Sequence, residues 1–191
     1  NIIIRNRKTN YKNLITSNSI MAVDANIVRK VLAKIGDKLV FQLKTELENQ
    51  GHIATGRLHD SIDYEIQTLG RNTVLRINAE GAPYAAIVND GAKPHFPNID
   101  AIIDWMDAKG ISPDDGQTKK QVAYAIAKRI QIEGIPTKGS FEYSHNGKRR
   151  GFVNRVFGSN RRHIESQIVD GVAVQIETSI SNTIRSINKD G

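Results

Sequence analysis

Five histidines, His52, His59, His95, His145 and His163, are the residues of this chain most suited to acid–base or metal chemistry. Their spacing argues against both. No two share metal-ligand spacing on one helix, so each reads as a surface or loop residue, and His52 and His59, flanking Thr55-Gly56-Arg57, are the one pair for which a joint role stays open. Asp114 and Asp115 stand together before Gly116, but the other oxygen ligands of a calcium loop are missing, and the pair is expected to cap the helix that follows. Neither a Walker-type phosphate loop nor a dinucleotide fingerprint is present, and Gly-x-Ser-x-Gly is absent. Ser144 and His145 adjoin in sequence, whereas a nucleophile and its base are defined in space. Cysteine is absent, which excludes disulfides, thiolate catalysis and cysteine-based zinc or iron–sulfur sites. An enzyme working with carboxylates alone would leave no such trace. A small hydrolase therefore remains a minor alternative, and the expectation is a non-enzyme with no cofactor and no metal.

The other residues that invite chemistry are cations. The 191 residues carry 27 Lys and Arg against 20 Asp and Glu, a net charge of +7 and a sequence pI near 9.7. Such a balance favours a polyanionic partner, because phosphate contacts release condensed counterions. The charge is concentrated. Residues 1–13 hold Arg5, Arg7, Lys8 and Lys12 with no acid, and residues 138–162 hold Lys138, Lys148, Arg149, Arg150, Arg155, Arg161 and Arg162 against Glu142. Two plain solvated loops and contact with nucleic acid or with an acidic neighbour fit these runs equally.

Elements must position these groups. Residues 1–22, rich in Asn, Ser and Thr and without periodicity, read as an extended arm that orders against a neighbouring subunit. Asp24 looks like an N-cap, and behind it Ile27, Val28, Val31, Leu32, Ile35, Leu39, Leu43 and Leu47 form one apolar stripe on a long helix that Gly51 ends. Gly36 inside it costs about 1 kcal/mol against Ala and suggests close packing. Ile62, Tyr64 and Ile66 alternate with Asp63, Glu65 and Gln67 as a half-buried strand, residues 70–72 turn, and Thr73 to Ala79 return as a hairpin. Pro83 opens and Gly91 closes a short helix, with Tyr84 and Ile87 expected to pack on the sheet. Lys93-Pro94-His95-Phe96-Pro97 is a loop. Ile99, Ile102, Ile103 and Met106 predict a short amphipathic helix before Gly110, with Trp105 near its apolar edge. Val122, Ala123, Ile126 and Ile130 predict a helix from about Gly116 to Glu133, ended by Gly134-Ile135-Pro136. Residues 137–160 read as a basic hairpin or long flap, and Ile164, Ile168, Val172, Ile176, Ile180, Ile184 and Ile187 mark a last helix from about Arg161.

The expected fold is α+β: a long N-terminal helix, a β-hairpin or small antiparallel sheet packed on helices, and a long C-terminal helix. Residues 23–191 read as one domain, with the flap at about 137–160 and the arm over 1–22. Hydrophobic residues make up 39% and charged residues 25%, the balance of a soluble globular chain. No apolar run approaches the roughly 18 residues of a membrane span, and Asn1-Ile2-Ile3-Ile4 is too short for a signal-peptide core.

Three segments in this order suggest a family. Thr55-Gly56-Arg57-Leu58-His59-Asp60-Ser61-Ile62 follows the long helix, Pro83-Tyr84-Ala85-Ala86-Ile87-Val88-Asn89-Asp90-Gly91 follows the hairpin, and Ala125–Ile130 with Gly134-Ile135-Pro136 and Phe141 precedes the last helix. The set resembles the head–tail joining, or tail-completion ("neck"), proteins of tailed bacteriophages, over about residues 24–187. That family shows Thr-Gly-x-Leu-x-x-Ser-Ile, then Tyr-Ala-x-x-Val-Glu-x-Gly-Thr, then a helix ending near a Pro and a Phe. Here Asn89-Asp90-Gly91-Ala92 moves the acid by one place, and the flap is longer than usual.

The resemblance implies a virion structural protein of the head–tail junction or tail top, assembled in the bacterial host cytoplasm. It implies one copy in a ring of six or twelve around the DNA channel, beside portal-proximal or tail ring proteins and away from any membrane. Thr55, Gly56, Leu58, Ser61, Tyr84, Ala85 and Gly91 then serve structure, with Thr55 capping the turn over 56–61. Arg5, Arg7, Lys8, Lys12, Lys148, Arg149, Arg150, Arg155, Arg161 and Arg162 become the candidates for a subunit interface or for loose contact with genomic DNA. The competing reading is a sequence-nonspecific nucleic-acid-binding protein that uses Lys148, Arg149, Arg150, Arg155, Arg161 and Arg162 on phosphates.

Overall fold

The computed structural model describes residues 25–70 and 72–187. The expected arm over 1–22, with Arg5, Arg7, Lys8 and Lys12, and the cap at Asp24 lie outside the described residues. The fold is α+β: a two-stranded antiparallel sheet among helices, with a long helix at each end. In chain order the elements are α1 (Ala25–Asn49), α2 (Arg57–Ser61), β1 (Ile62–Leu69), β2 (Asn72–Ala79), α3 (Ala85–Asp90), α4 (Ile99–Lys109), α5 (Lys119–Glu133), a 3-10 turn (Lys138–Tyr143) and α6 (Phe152–Ile187).

Two boundaries correct the sequence reading. The helix expected from Gly116 starts at Lys119, because Thr118 and not Asp114 or Asp115 caps it. The Thr118 hydroxyl accepts from the Gln121 N–H at 3.3 Å, and the Gln121 side chain accepts from the Thr118 N–H at 2.8 Å, a reciprocal capping box. The basic segment 137–160 is not a hairpin. It holds the 3-10 turn and a loop, and α6 begins at Phe152 rather than near Arg161. Phe152 and Val156 anchor that first turn as buried core residues.

The chain divides into two compact units. One comprises, among the described residues, those up to Val40, Tyr64–Asn78 and those from Ser159 onward; the other comprises Phe41–Asp63 and Ala79–Gly158. In the first unit Val31, Leu32, Ile35 and Leu39 of α1 are buried, as are Val74 and Leu75 of β2. Two glycines set its close approaches. A Cβ on Gly36 would lie 2.7 Å from the Tyr64 ring, and one on Gly171 of α6 would lie 2.9 Å from Val31. The Tyr64 hydroxyl donates to Asp37 at 2.9 Å, locking the hairpin's ring over Gly36.

In the second unit α4 and α5 pair through Ile102, Met106, Ala123 and Ala127. The two alanines, fully buried, let the helices approach closely, and Met106 fills the space between them. Leu43, Leu47, Leu58, Ile62 and Ala82 complete the unit's apolar interior with Phe152 and Val156. Ala92 and Ile135 form an isolated antiparallel bridge, with N···O distances of 2.9 and 2.8 Å. Gly91 and Gly134 precede its two residues, both at positive φ (79° and 78°), and a Cβ on either would run into the carbonyl oxygen opposite.

Candidate functional site

The second unit gathers its chemistry at the C-terminus of α1, where the last carbonyls of a 25-residue helix need donors. Gly51, at φ 68°, closes a Schellman motif: its N–H reaches Glu48 O at 2.8 Å, and the His52 N–H reaches Leu47 O at 3.0 Å. Asn49 O accepts from the His145 N–H at 2.9 Å and the Ser144 hydroxyl at 3.3 Å. Arg149 Nη1 donates to Gln50 O, and Lys109 Nζ donates to Gly51 O at 3.0 Å. Two cations thus sit at the negative end of the helix macrodipole, where they stabilise it.

A polar network locks the basic loop onto this end. Gln50, fully buried, donates to Glu46 at 2.9 Å and to Arg150 O at 3.3 Å, and its Oε1 meets His52 Nε2 at 3.2 Å. Glu46 Oε1 also receives Asn146 Nδ2 at 3.1 Å and Arg155 Nε at 2.7 Å. Burial and then the Arg149 charge hold the His52 imidazole down to about 4, so it is neutral at pH 7. Burial first, then Arg149, lowers the Lys109 ammonium, and burial lowers the Arg149 guanidinium. Arg149 Nε is buried without a hydrogen-bond partner.

The predicted interface cations therefore divide. Arg149, Arg150 and Arg155 are engaged within the chain, Arg150 through Nη2 on Ile135 O at 2.7 Å. Lys148 and Arg162 are exposed, and Arg161 pairs with Glu165 one helical turn on at 3.2 Å. Lys148 and Arg155 belong to the second unit, Arg161 and Arg162 to the first, so the cluster contiguous in sequence is split between the units.

Motif residues divide similarly. Leu58 is buried, and the Ser61 hydroxyl donates to Leu58 O at 2.9 Å. The Thr55 hydroxyl accepts from the Arg57 N–H at 3.3 Å, while Gly56, at φ 78°, occupies the N-cap position itself. Ala85 opens α3, and Gly91 is required by the bridge just described. Tyr84 and Ile87, expected to pack on the sheet, are instead 36% and 46% exposed. Asn89 gains a role that its sequence did not suggest. Its Oδ1 accepts the Val153 N–H at 3.0 Å, and its carbonyl the Gly151 N–H at 2.7 Å, so α3 caps the start of α6.

His59 lies between Glu48 (3.2 Å) and Asp60 (2.8 Å). An open depression of about 580 Å³ beside the brace is lined by Glu48, Gly51, Ile53, Lys109, Glu142, Tyr143 and His145. No group of three metal-ligating side chains forms among the described residues, and no described helix is long and apolar enough to cross a membrane.

Sequence reasoning also missed Phe96, Tyr124 and Lys128. The rings of Phe96 and Tyr124 meet edge to face at 5.9 Å, and Lys128 Nζ stands 5.8 and 5.7 Å from their centroids. The signal was present as an acid-free run: residues 117–132 hold Lys119, Lys120, Lys128 and Arg129 before the first carboxylate, Glu133.

Comparison of the chain with protein-family models, with curated proteins and with solved structures finds no match.

Proposed function

We propose that the chain is a structural subunit of a bacteriophage head–tail connector, one copy of a closed neck or tail-completion ring around the DNA channel. The observation that carries this reading is the apolar seam left on α6. Val169, Ala173, Ile176 and Ile180 repeat at spacings of four, three and four, the heptad pattern by which one helix receives another. Ile176 is half-buried, yet Ala173 is exposed, Val169 is 68% and Ile180 44% exposed, and Ile184 beyond them is 53% exposed. Helices of a finished monomer do not usually leave such a row in water.

The order of the three motif segments supports the same reading, and so do Tyr84 and Ile87, which the middle segment turns outward. A ring needs a heterologous contact, one face of a copy meeting a different face of the next. Negative-stain microscopy and light scattering of the purified full-length chain test the proposal. Closed rings, alone or with virion neck fractions, are expected. A monomer at every concentration, never found in purified virions, would overturn it.

A further inference from the structure

We infer that the outer face of α5, with the loop before α4, is a binding site for single-stranded nucleic acid. Lys120, Tyr124 and Lys128 follow at intervals of four on α5 and are all exposed, so they form one stripe on the helix. Phe96 sets its ring against Tyr124 from the loop, and Lys128 stands over both rings. Two half-exposed aromatic rings held by a cation form a platform for flat bases, and the flanking ammonium groups meet phosphates.

Charge supports this occupant over an acidic protein only together with the rings. Residues 117–132 contain no acid, and neither do residues 91–99, which add Lys93. The cations at the stripe's margins are paired with carboxylates, Lys119 with Asp107 and Arg129 with Glu133, whereas Lys128 Nζ donates to the neutral Gln131 side chain at 3.2 Å. Lys120 and Lys128, eight residues apart, are separated by about 12 Å along the axis, the length of a few nucleotides. The inference goes beyond the connector reading, since a duplex sliding through a channel offers phosphates but no free base faces. It also moves the nucleic-acid contact away from Arg149 and Arg155, which the end of α1 engages, and from Arg150, which donates to Ile135 O.

The test is fluorescence anisotropy of labelled oligo-dT, oligo-rU and duplex DNA with the full-length protein at low and moderate salt. Oligo-dT or oligo-rU is expected to bind more tightly than duplex. Tyr124→Ala should weaken single-strand binding about fivefold or more and leave duplex binding unchanged. Lys128→Gln, which keeps the helix, should weaken both and flatten the salt dependence, whereas Lys148→Gln should change neither. Wild-type protein that binds no oligonucleotide, or binding indifferent to Tyr124→Ala and Lys128→Gln in folded variants, overturns the inference. So does a labelled acidic peptide that binds in place of the oligonucleotides. Ring formation is read separately on the same samples: rings without oligonucleotide binding sink this site and leave the connector, and Tyr124-dependent binding without rings does the reverse.

Discussion

His52 shows how one residue converts a structural brace into a pH dependence. Its imidazole is held down to about 4 in the folded chain against about 6.5 when unfolded. Between those values the unfolded chain binds the extra proton, so stability is complete above about pH 6.5 and falls as pH drops towards 4. The full shift corresponds to about 3 kcal/mol, and partial solvent access at this half-buried site reduces it to about 1–2 kcal/mol. Urea denaturation at pH 7.5 and 4.5 should show that loss in wild type and much less of it in His52→Gln. Arg149→Met should lower stability at pH 7 by about 1–2 kcal/mol, through a lost charged donor at the helix terminus. It should also raise the His52 pKa part of the way to 6.5 by NMR titration, because the Arg149 charge is the second cause and burial the first. Gly91→Ala makes a sharper demand. At φ 79° with a carbonyl in the path of Cβ, about 2 kcal/mol or more should be lost on thermal melting.

At the scale of elements, periodicity made most of this fold legible and charge runs made its site partly illegible. The stripe from Ile27 to Leu47 yields α1, and the alternation at 62–67 yields β1, because one buried face leaves a period in the sequence. Gly36 marks a close approach inside a helical pattern, and the Tyr64 ring is its reason. The start of α6 was hidden because its first turn is stabilised from outside: Asn89 on α3 accepts the Val153 N–H, which no local pattern announces. Arg149 and Arg150 read as surface charge in the sequence, since a cation that donates to a distant backbone carbonyl, Gln50 O for one and Ile135 O for the other, has the same local sequence as one that meets phosphate. The capping box at Thr118 and Gln121 was local and readable, but the paired aspartates just before it drew the boundary three residues too early. Asn89→Ala tests the cross-element cap. A loss of about 1 kcal/mol is expected, with faster amide exchange in the first turn of α6 and little change in α4 and α5.

At the scale of the molecule, the question is what α6 leaves uncovered. The row Ile164, Ile168, Val172, Ile176, Ile180, Ile184 is spaced by four throughout, and a helix turning about 100° per residue rotates such a row by about 40° at each step. Over five steps it migrates by about 200°, from one side of the helix to the other. Ile164, Ile168, Val172 and Ile176 are half-buried, whereas Ile180 and Ile184 are exposed, joining Val169 and Ala173 on the far side. The subunit covers one end of the row, and a neighbouring copy is the expected cover for the other. Val169→Asp with Ile180→Asp separates assembly from folding. Both sites are exposed, so the double variant should keep the thermal stability of the isolated chain within about 1 kcal/mol. A charge pair buried without partners in the seam costs several kcal/mol per contact, and in a ring that penalty recurs at every interface. The double variant should therefore sediment as a folded monomer at concentrations where wild type forms rings. Rings of unchanged size from that variant would place the subunit contact elsewhere and deprive the connector reading of its main support.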